Sequence, residues 1–276
     1  MEFPLSPLTP VEDLPFTFVD VETTGLKAET GDRVCEIALL RIQGGQEIDR
    51  FESLVNPQRR MGAGAMAVNG ITDAMLTDAP LFHHLIPHLR PLLHNAVFVA
   101  HNASFDVGFL RHEFELANQV FTAPTVVDTL VLAQAHYRFS HNSLEAIATA
   151  LGLPNARRHR AMADVQTTQQ VLQRFIDDMR AKEPVVLAHL MYPTDHRSVA
   201  ELDILTTLMR NALQSGKLLH LHYQASNSEE TVRVVEPLEV SYQRGRGYLK
   251  AFCHLRQEER NFRFDRIRTL RVVTGP

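Results

Sequence analysis

One stretch limits what this chain can become. Phe16 to Leu26, FTFVDVETTGL, has the aromatic and β-branched character of a buried strand, yet it carries Asp20 and Glu22 near its end. Side chains at i and i+2 of a strand point to the same face, so Asp20 and Glu22 share the face that Phe16 and Phe18 begin. Two adjacent carboxylates on a largely apolar face repel each other and lose hydration, each at a cost on the order of several kcal/mol. A fold that buries this strand has to bring positive charge to its end.

The rest of the pattern places that strand in a domain. RVCEIALLRIQGG and EIDRFESLVNP alternate as two further strands, with Gly44-Gly45 as a hairpin turn. MGAGAMAVNGITDAML reads as irregular. LFHHLIPHLRPLLHN has helix-spaced apolar positions, and Pro87 and Pro91 predict that this helix is short or kinked. AVFVAHN is a compact apolar strand, and SFDVGFLRHEFELAN an amphipathic helix entered through Ser104. TVVDTLVLAQAHYR passes from strand to helix, SLEAIATALGL is a helix stopped by Gly152, and ADVQTTQQVLQRFIDDMRAK is a long helix. Strands first, then strands alternating with helices, predict a mixed α/β domain over residues 10–183. Residues 184–199 hold two prolines and little periodicity and read as a linker. From residue 200 a helix ending at Gly216 leads into KLLHLHYQA, TVRVVEPLEVSYQ, RGYLKAFCHL and NFRFDRIRTLRVV, a small β-rich domain spanning 200–276.

Composition bounds the function class. The chain of 276 residues is 45% hydrophobic and 22% charged, ordinary for a soluble globular protein. Its first residues, MEFPLSPLTPVEDLP, lack a basic n-region and an apolar h-region, so a signal peptide is not expected. No apolar run approaches the roughly 20 residues of a membrane span. Cys35 and Cys253 lie far apart with no CxxC spacing and read as buried reduced thiols, which points to the cytoplasm. The net charge of −4 argues against a generic nucleic-acid binder, but it is unevenly spread. Residues 217–276 hold eleven Lys+Arg against seven Asp+Glu, leaving an acidic body with a basic tail piece.

Two further places share the oddity of the first. Asp106 stands in the first turn of a helix that is otherwise apolar on that side, and His159 precedes Asp164 by five residues at the start of the long helix. His159 is expected on the approach loop RRHR, with Asp164 fixed on the helix. Asp20, Glu22, Asp106 and Asp164 converging on one place call for hard divalent cations held through oxygen, Mg²⁺ or Mn²⁺ rather than zinc. A pair of such ions activates a water and stabilises the leaving oxygen in phosphodiester hydrolysis, and a histidine titrating near neutrality suits the general base. Asp128, His83, His84, His88 and His94 read as structural or surface residues. QQVLQRF loosely echoes a sliding-clamp-binding peptide, but its apolar positions are needed for the core.

VDVETTG, HNASFD and HRAMAD, in this order and at these separations, resemble the three motifs of the DnaQ-like (DEDDh) 3′→5′ exonucleases over residues 14–180. The resemblance implies an RNase H-like mixed sheet with helices. It makes Asp20, Glu22, Asp106 and Asp164 the acids that bind two divalent ions, and His159 the general base. Thr23 and Thr24 would approach the terminal nucleotide with their backbone, Leu26 would pack on its base, and His101 and Asn102 would stand by the same pocket. Asn69, in VNGIT where many relatives have His, would touch substrate contact and not the metals.

HLHYQA, VEPLEV, RGYLKAFCHLR and NFRFDRI resemble the WYL domain, a small Sm-like β-barrel, over residues 200–276. Its signature triad is incomplete, because Gly247 precedes Tyr248 and Leu249 where the family has Trp. The resemblance implies a basic groove for nucleic acid, often single-stranded, or for a nucleotide-like effector, formed by Tyr223, His254, Arg256, Arg263 and Arg266, with Lys250 less expected. Strand alternation would set Arg263 and Asp265 on one face and Phe262, Phe264 and Arg266 on the other.

The chain is therefore expected to be a metal-dependent 3′→5′ exonuclease. It would hydrolyse single-stranded DNA or RNA with a free 3′ end to nucleoside monophosphates, and the WYL domain would grip substrate or sense a ligand. Two other readings stay open: a WYL-type regulator with a vestigial nuclease domain, and a polymerase proofreading subunit. DNA against RNA, repair against RNA processing or phage defence, and monomer against homodimer are equally open.

Overall fold

The structure is a computed structural model and describes residues 5–122, 125–154, 160–191, 193, 198–225, 229–243 and 246–273. The chain divides into two compact units, 10–185 and 186–276, with 6–9 counted in the second. Among the described residues no helix is long and apolar enough to cross a membrane.

The first unit is built on a five-stranded sheet of order β3-β2-β1-β4-β5, with β1 Phe16–Thr23, β2 Val34–Gln43, β3 Gln46–Leu54, β4 Val97–Ala100 and β5 Val126–Asp128. β1, β2 and β3 form an antiparallel meander, and β4 and β5 run parallel to β1. Gly44 and Gly45 both have positive φ, +57° and +74°, the pair of left-handed residues that a two-residue hairpin needs. The helices are α1 Ala63–Asn69, α2 Asp73–Leu76, α3 Phe82–Leu93, α4 Ser104–Leu116, α5 Thr129–His136, α6 Leu144–Ala150 and α7 Ala161–Arg180. Val19, Val21, Ile37 and Leu39 pack on one face of the sheet with Phe82, Ile86 and Leu89 of α3 and Phe109 and Leu110 of α4. The other face, which carries Phe16, Phe18, Asp20 and Glu22, meets α7.

Three local expectations change. The stretch read as irregular contains α1 and α2. α3 is one helix in spite of Pro87 and Pro91. Its apolar positions Phe82, Leu85, Ile86, Leu89 and Leu92 are all buried, whereas both prolines lie on the exposed side, where the carbonyls they leave without a donor can reach water. Ser104 is the first residue of α4 and not its cap; the cap position is Ala103, which offers no side-chain acceptor.

The second unit holds α8 Leu187–Met191, α9 Val199–Ser215, β6 Leu218–Gln224, β7 Glu230–Gln243, β8 Arg246–Cys253, β9 Glu258–Arg263 and β10 Ile267–Val273. α8 thus falls inside the segment read as a linker. α9 opens with a reciprocal capping box, Ser198 Oγ accepting from Glu201 N at 3.3 Å and Glu201 Oε2 accepting from Ser198 N at 2.9 Å, and ends at Gly216 with φ +61°. The five strands form one antiparallel sheet of order β10-β6-β7-β8-β9. Among the described residues no ladder joins β9 to β10, so the expected Sm-like barrel is met as an open sheet. That sheet is strongly curled. β6 and β9 are three strands apart, roughly 14 Å in a flat sheet, yet the rings of Tyr223 and Phe262 meet edge to face with centroids 5.1 Å apart.

The segment NFRFDRI is also not one strand. A 3-10 turn over Phe264–Arg266 ends the alternation, and Arg263 pairs with Asp265 within that bend, Nε to Oδ1 at 3.0 Å. Phe264 is fully buried, and its ring lies where a Cβ on Gly247 would stand. The place beside Gly247 is thus filled by the side chain that follows the neighbouring strand β9.

Candidate metal centre and catalytic cleft

β1 pairs with β4 only through Phe16, Thr17 and Phe18. Beyond Phe18, among the described residues, no ladder continues along its β4-side edge, the stretch that carries Asp20 and Glu22. Asp106, in the first turn of α4 and 2% exposed, reaches that edge, its Oδ1 accepting from Val21 N at 3.1 Å. An edge N–H that would otherwise lack an acceptor is thereby satisfied, and α4 is keyed to β1. From the opposite side α7 brings Asp164. Carboxylate oxygens of Asp20, Glu22 and Asp164 all lie within 4.8 Å of one another. Asp106 stands beside them, and its charge is the strongest of those acting on Asp20.

The cluster is electrostatically strained without a cation. Burial, and then the charges of Asp106, Asp164, Glu22 and Glu36, push the Asp20 carboxyl well above the usual range. Burial likewise raises Asp106, against the hydrogen bond from Val21. Glu22 is pushed up to about 7 by burial and by Asp164 and Glu36, against the lowering effects of an Asn69 hydrogen bond and of Arg160. An all-oxygen donor set of this charge fits a hard divalent ion and offers nothing that would favour zinc.

The approach to the cluster is firmly built. Asp128 caps α5, accepting from Leu130 N at 3.0 Å, and its carboxylate also accepts from Asn102 N and Ala103 N, each at 3.0 Å. It therefore does for the start of α4 what Ser104 was expected to do. Asn102 has φ +65°, a left-handed turn that these bonds hold. His101 has both ring nitrogens engaged, Nδ1 with Thr129 Oγ1 and Nε2 with Asn142 O, each at 2.9 Å, and burial lowers its pKa. A neutral ring that donates to Asn142 and accepts from Thr129 satisfies all of this.

Thr24 is buried, donates its N–H to Arg33 O at 2.9 Å, and accepts from Arg33 N at 3.1 Å. Arg33 is in turn held by the buried Glu113 of α4 through two bonds, at 2.8 and 2.7 Å. Gly25 has no room for a side chain, because a Cβ there would collide with the Asp32 carboxylate. Of the residues expected around a terminal nucleotide, Leu26 is the one left free, an apolar side chain 81% exposed. His159 lies outside the described residues, immediately before Arg160.

Two side chains matter more here than the sequence reading assigned. Asn69 is not confined to a substrate wall: its Oδ1 accepts from Ile71 N at 3.0 Å, which turns its amide group toward the Glu22 carboxylate. Glu36, directly across the ladder from Glu22, is buried and bound to Arg160. The signal for it was present as an acid inside the apolar run VCEIALL.

In the second unit the expected groove residues do not share one face. Tyr223 points inward with Leu219 and Leu221, while His254, Lys250 and Arg263 fall on the outer side of the sheet and Arg256 is exposed in the turn after β8. Arg266 is half-buried in the 3-10 turn, and Lys250 pairs with Glu259 at 2.8 Å. On the inner face Arg233 is 9% exposed, donates from Nε to Thr231 Oγ1 at 3.1 Å, and has no hydrogen-bond partner for Nη1.

A mixed sheet whose central strand carries two acids, faced by one further acid from each flanking helix, is an RNase H-like α/β fold. Two family models agree with that division: the exonuclease model RNase_T matches residues 17–172 and the WYL domain model matches 204–272. The first covers more than half of the chain, and the protein belongs to the RNase_T exonuclease family, with a WYL domain following. It is 34% identical over 168 residues to the PolC-type DNA polymerase III of Thermotoga maritima, a match covering 61% of this chain and 12% of that protein. It is 36% identical over 179 residues to a DNA polymerase III subunit epsilon-like protein of Rhodobacter capsulatus, covering 63% of this chain and 25% of the other. The chain thus spans a quarter or less of the length of these curated relatives. The nuclease domain of 3′hExo, a DEDDh family member bound to rAMP, superposes with TM-score 0.54 at 15% identity, over 62% of this chain and 95% of that one, a likeness of fold.

Proposed function

We propose that the chain is a metal-dependent 3′→5′ exonuclease acting on single-stranded nucleic acid, with DNA favoured over RNA, and releasing nucleoside monophosphates. The observation that carries this reading is the convergence of Asp20, Glu22 and Asp164 within 4.8 Å, with Asp106 beside them. These four carboxylates would hold two divalent ions, Mg²⁺ or Mn²⁺, which when bound supply an activated water and charge stabilisation at the scissile phosphate. His159 would take the proton of that water. Leu26 would pack on the terminal base, while Thr23 and Thr24, the latter fixed by Arg33, present backbone groups to the terminal nucleotide. His101 and Asn102 would shape the pocket through the turn that Asp128 holds. Four carboxylates this close with no cation between them are costly, which speaks against a vestigial nuclease.

The boundaries we assign are 10–183 for the exonuclease domain and 200–276 for the WYL domain, whose last strand pairs with its first as in a barrel of the Sm-like kind. Of Tyr223, His254, Arg256, Arg263 and Arg266, those on the outer side of the sheet or in its exposed turn, His254, Arg256 and Arg263, would contact phosphate or a nucleotide-like effector. The polymerase relatives favour a second reading, proofreading within a replicative assembly.

The test is product analysis on strands with a free or a phosphorylated 3′ end. Mononucleotides released from the free end alone are expected, from DNA faster than from RNA. Equal release from the blocked strand, or oligonucleotide products, would contradict the proposal.

A further inference from the structure

We propose that Glu36 is a positioning residue of the acid cluster: its carboxylate ties the N-terminus of α7 to β2 and so holds Asp164 against Asp20 and Glu22. The inference rests on the exonuclease reading above. Glu36 is 5% exposed and sits directly across the β1–β2 ladder from Glu22. Its oxygens are already engaged. Arg160 Nε lies 2.9 Å from Oε1 and 3.0 Å from Oε2, Arg160 Nη2 also bonds Oε1, and Ala161 N donates to Oε2 at 3.0 Å. A carboxylate so occupied is not a fifth metal ligand, and Glu36 stands apart from the oxygens that converge.

The need for it lies at the start of α7. The cap position is Arg160, whose side chain caps nothing, and Ala161 is fully buried. A buried N–H in the first turn must find an acceptor, and an anion there is further favoured by the helix dipole. Glu36 supplies both, and Arg160 supplies the counter-charge, which also bears on Glu22. Asp164 follows Ala161 within one turn, its own N–H bonded to Arg160 O at 3.1 Å. Fixing Arg160 and Ala161 on β2 therefore fixes Asp164, and anchors the end of the segment that carries His159.

The test uses the full chain as wild type, Glu36→Gln, Arg160→Gln and the double variant. It measures thermal unfolding, kcat and KM for mononucleotide release, and Mn²⁺ binding by calorimetry. Displacement of a reacting group by about 1 Å costs on the order of 100-fold in rate, and loss of a partner that orients metal ligands costs about 10- to 100-fold in metal affinity. Each single variant is expected to lower kcat by about 30- to 100-fold with little change in KM, and to weaken Mn²⁺ binding at least about tenfold. The double variant is expected to be no worse than the worse single, as for two halves of one device. Variants that melt earlier but keep kcat and Mn²⁺ affinity within about twofold of wild type, well short of those losses, would overturn the proposal. Should Glu36→Gln fail to fold, Arg160→Gln decides alone, since that side chain is 44% exposed. If the wild type releases no nucleotide, the exonuclease reading fails, and the Mn²⁺ measurement still judges Glu36.

Discussion

Glu22 concentrates the chemistry at the scale of single residues. Its carboxyl is pushed up to about 7 by burial and by neighbouring acids. A carboxyl with a raised pKa contributes stability that is intact below its unfolded value, near 4.5, and lost as pH rises through about 7. Metal-free protein is therefore expected to melt at a lower temperature at pH 8 than at pH 5.5. Mn²⁺ should restore the difference, because binding displaces protons from the acids. Thermal melts at several pH values with EDTA or Mn²⁺ check this; a Mn²⁺ shift no larger at pH 8 than at pH 5.5 would contradict it. The acids were legible in the sequence because two carboxylates at i and i+2 are out of place on an apolar strand. The partners of Asn69 and Glu36 were not, because an amide at a helix end and a lone acid in the apolar run of the neighbouring strand reveal what they bind only once the chain is folded.

Elements were legible where periodicity was strong and misread where a side chain from elsewhere decided the outcome. β1 and α7 follow from alternation and spacing, and α9 from spacing and a cap that is local. α3 survives two prolines because five buried apolar residues outweigh backbone bonds lost on its wet side. The NFRFDRI segment breaks at Phe264, which is drawn inward over Gly247. Strand alternation alone cannot show that pull. A prediction follows at this scale: Gly247→Ala forces a methyl group into the Phe264 ring and should destabilise the WYL domain by about 1–3 kcal/mol. Adding Phe264→Leu should recover part of that loss. Chemical denaturation of the wild type, the two single variants and the double variant measures it, and additive losses would show that the two positions do not compete for one space.

For the whole molecule, charge is divided between the parts, with the basic excess in residues 217–276 and the acidic excess elsewhere. If the basic part supplies three to five phosphate contacts, log affinity for a single strand should fall against log salt with a slope of about −2 to −3.5. Titrations of a labelled strand between low and moderate salt test this, and a slope near zero would remove phosphate contact from the role of the WYL domain. The central claim is that the acids gathered at the end of β1 cut nucleic acid one residue at a time from its 3′ end. The most direct measurement is a time course on a 5′-labelled single strand with Mg²⁺, Mn²⁺ or EDTA, comparing wild type, Asp164→Asn and His159→Ala. A ladder shortening by single nucleotides, absent in EDTA and lowered at least about 100-fold in both variants, is the expected result. Internal cuts, or a ladder that survives EDTA or Asp164→Asn, would contradict it.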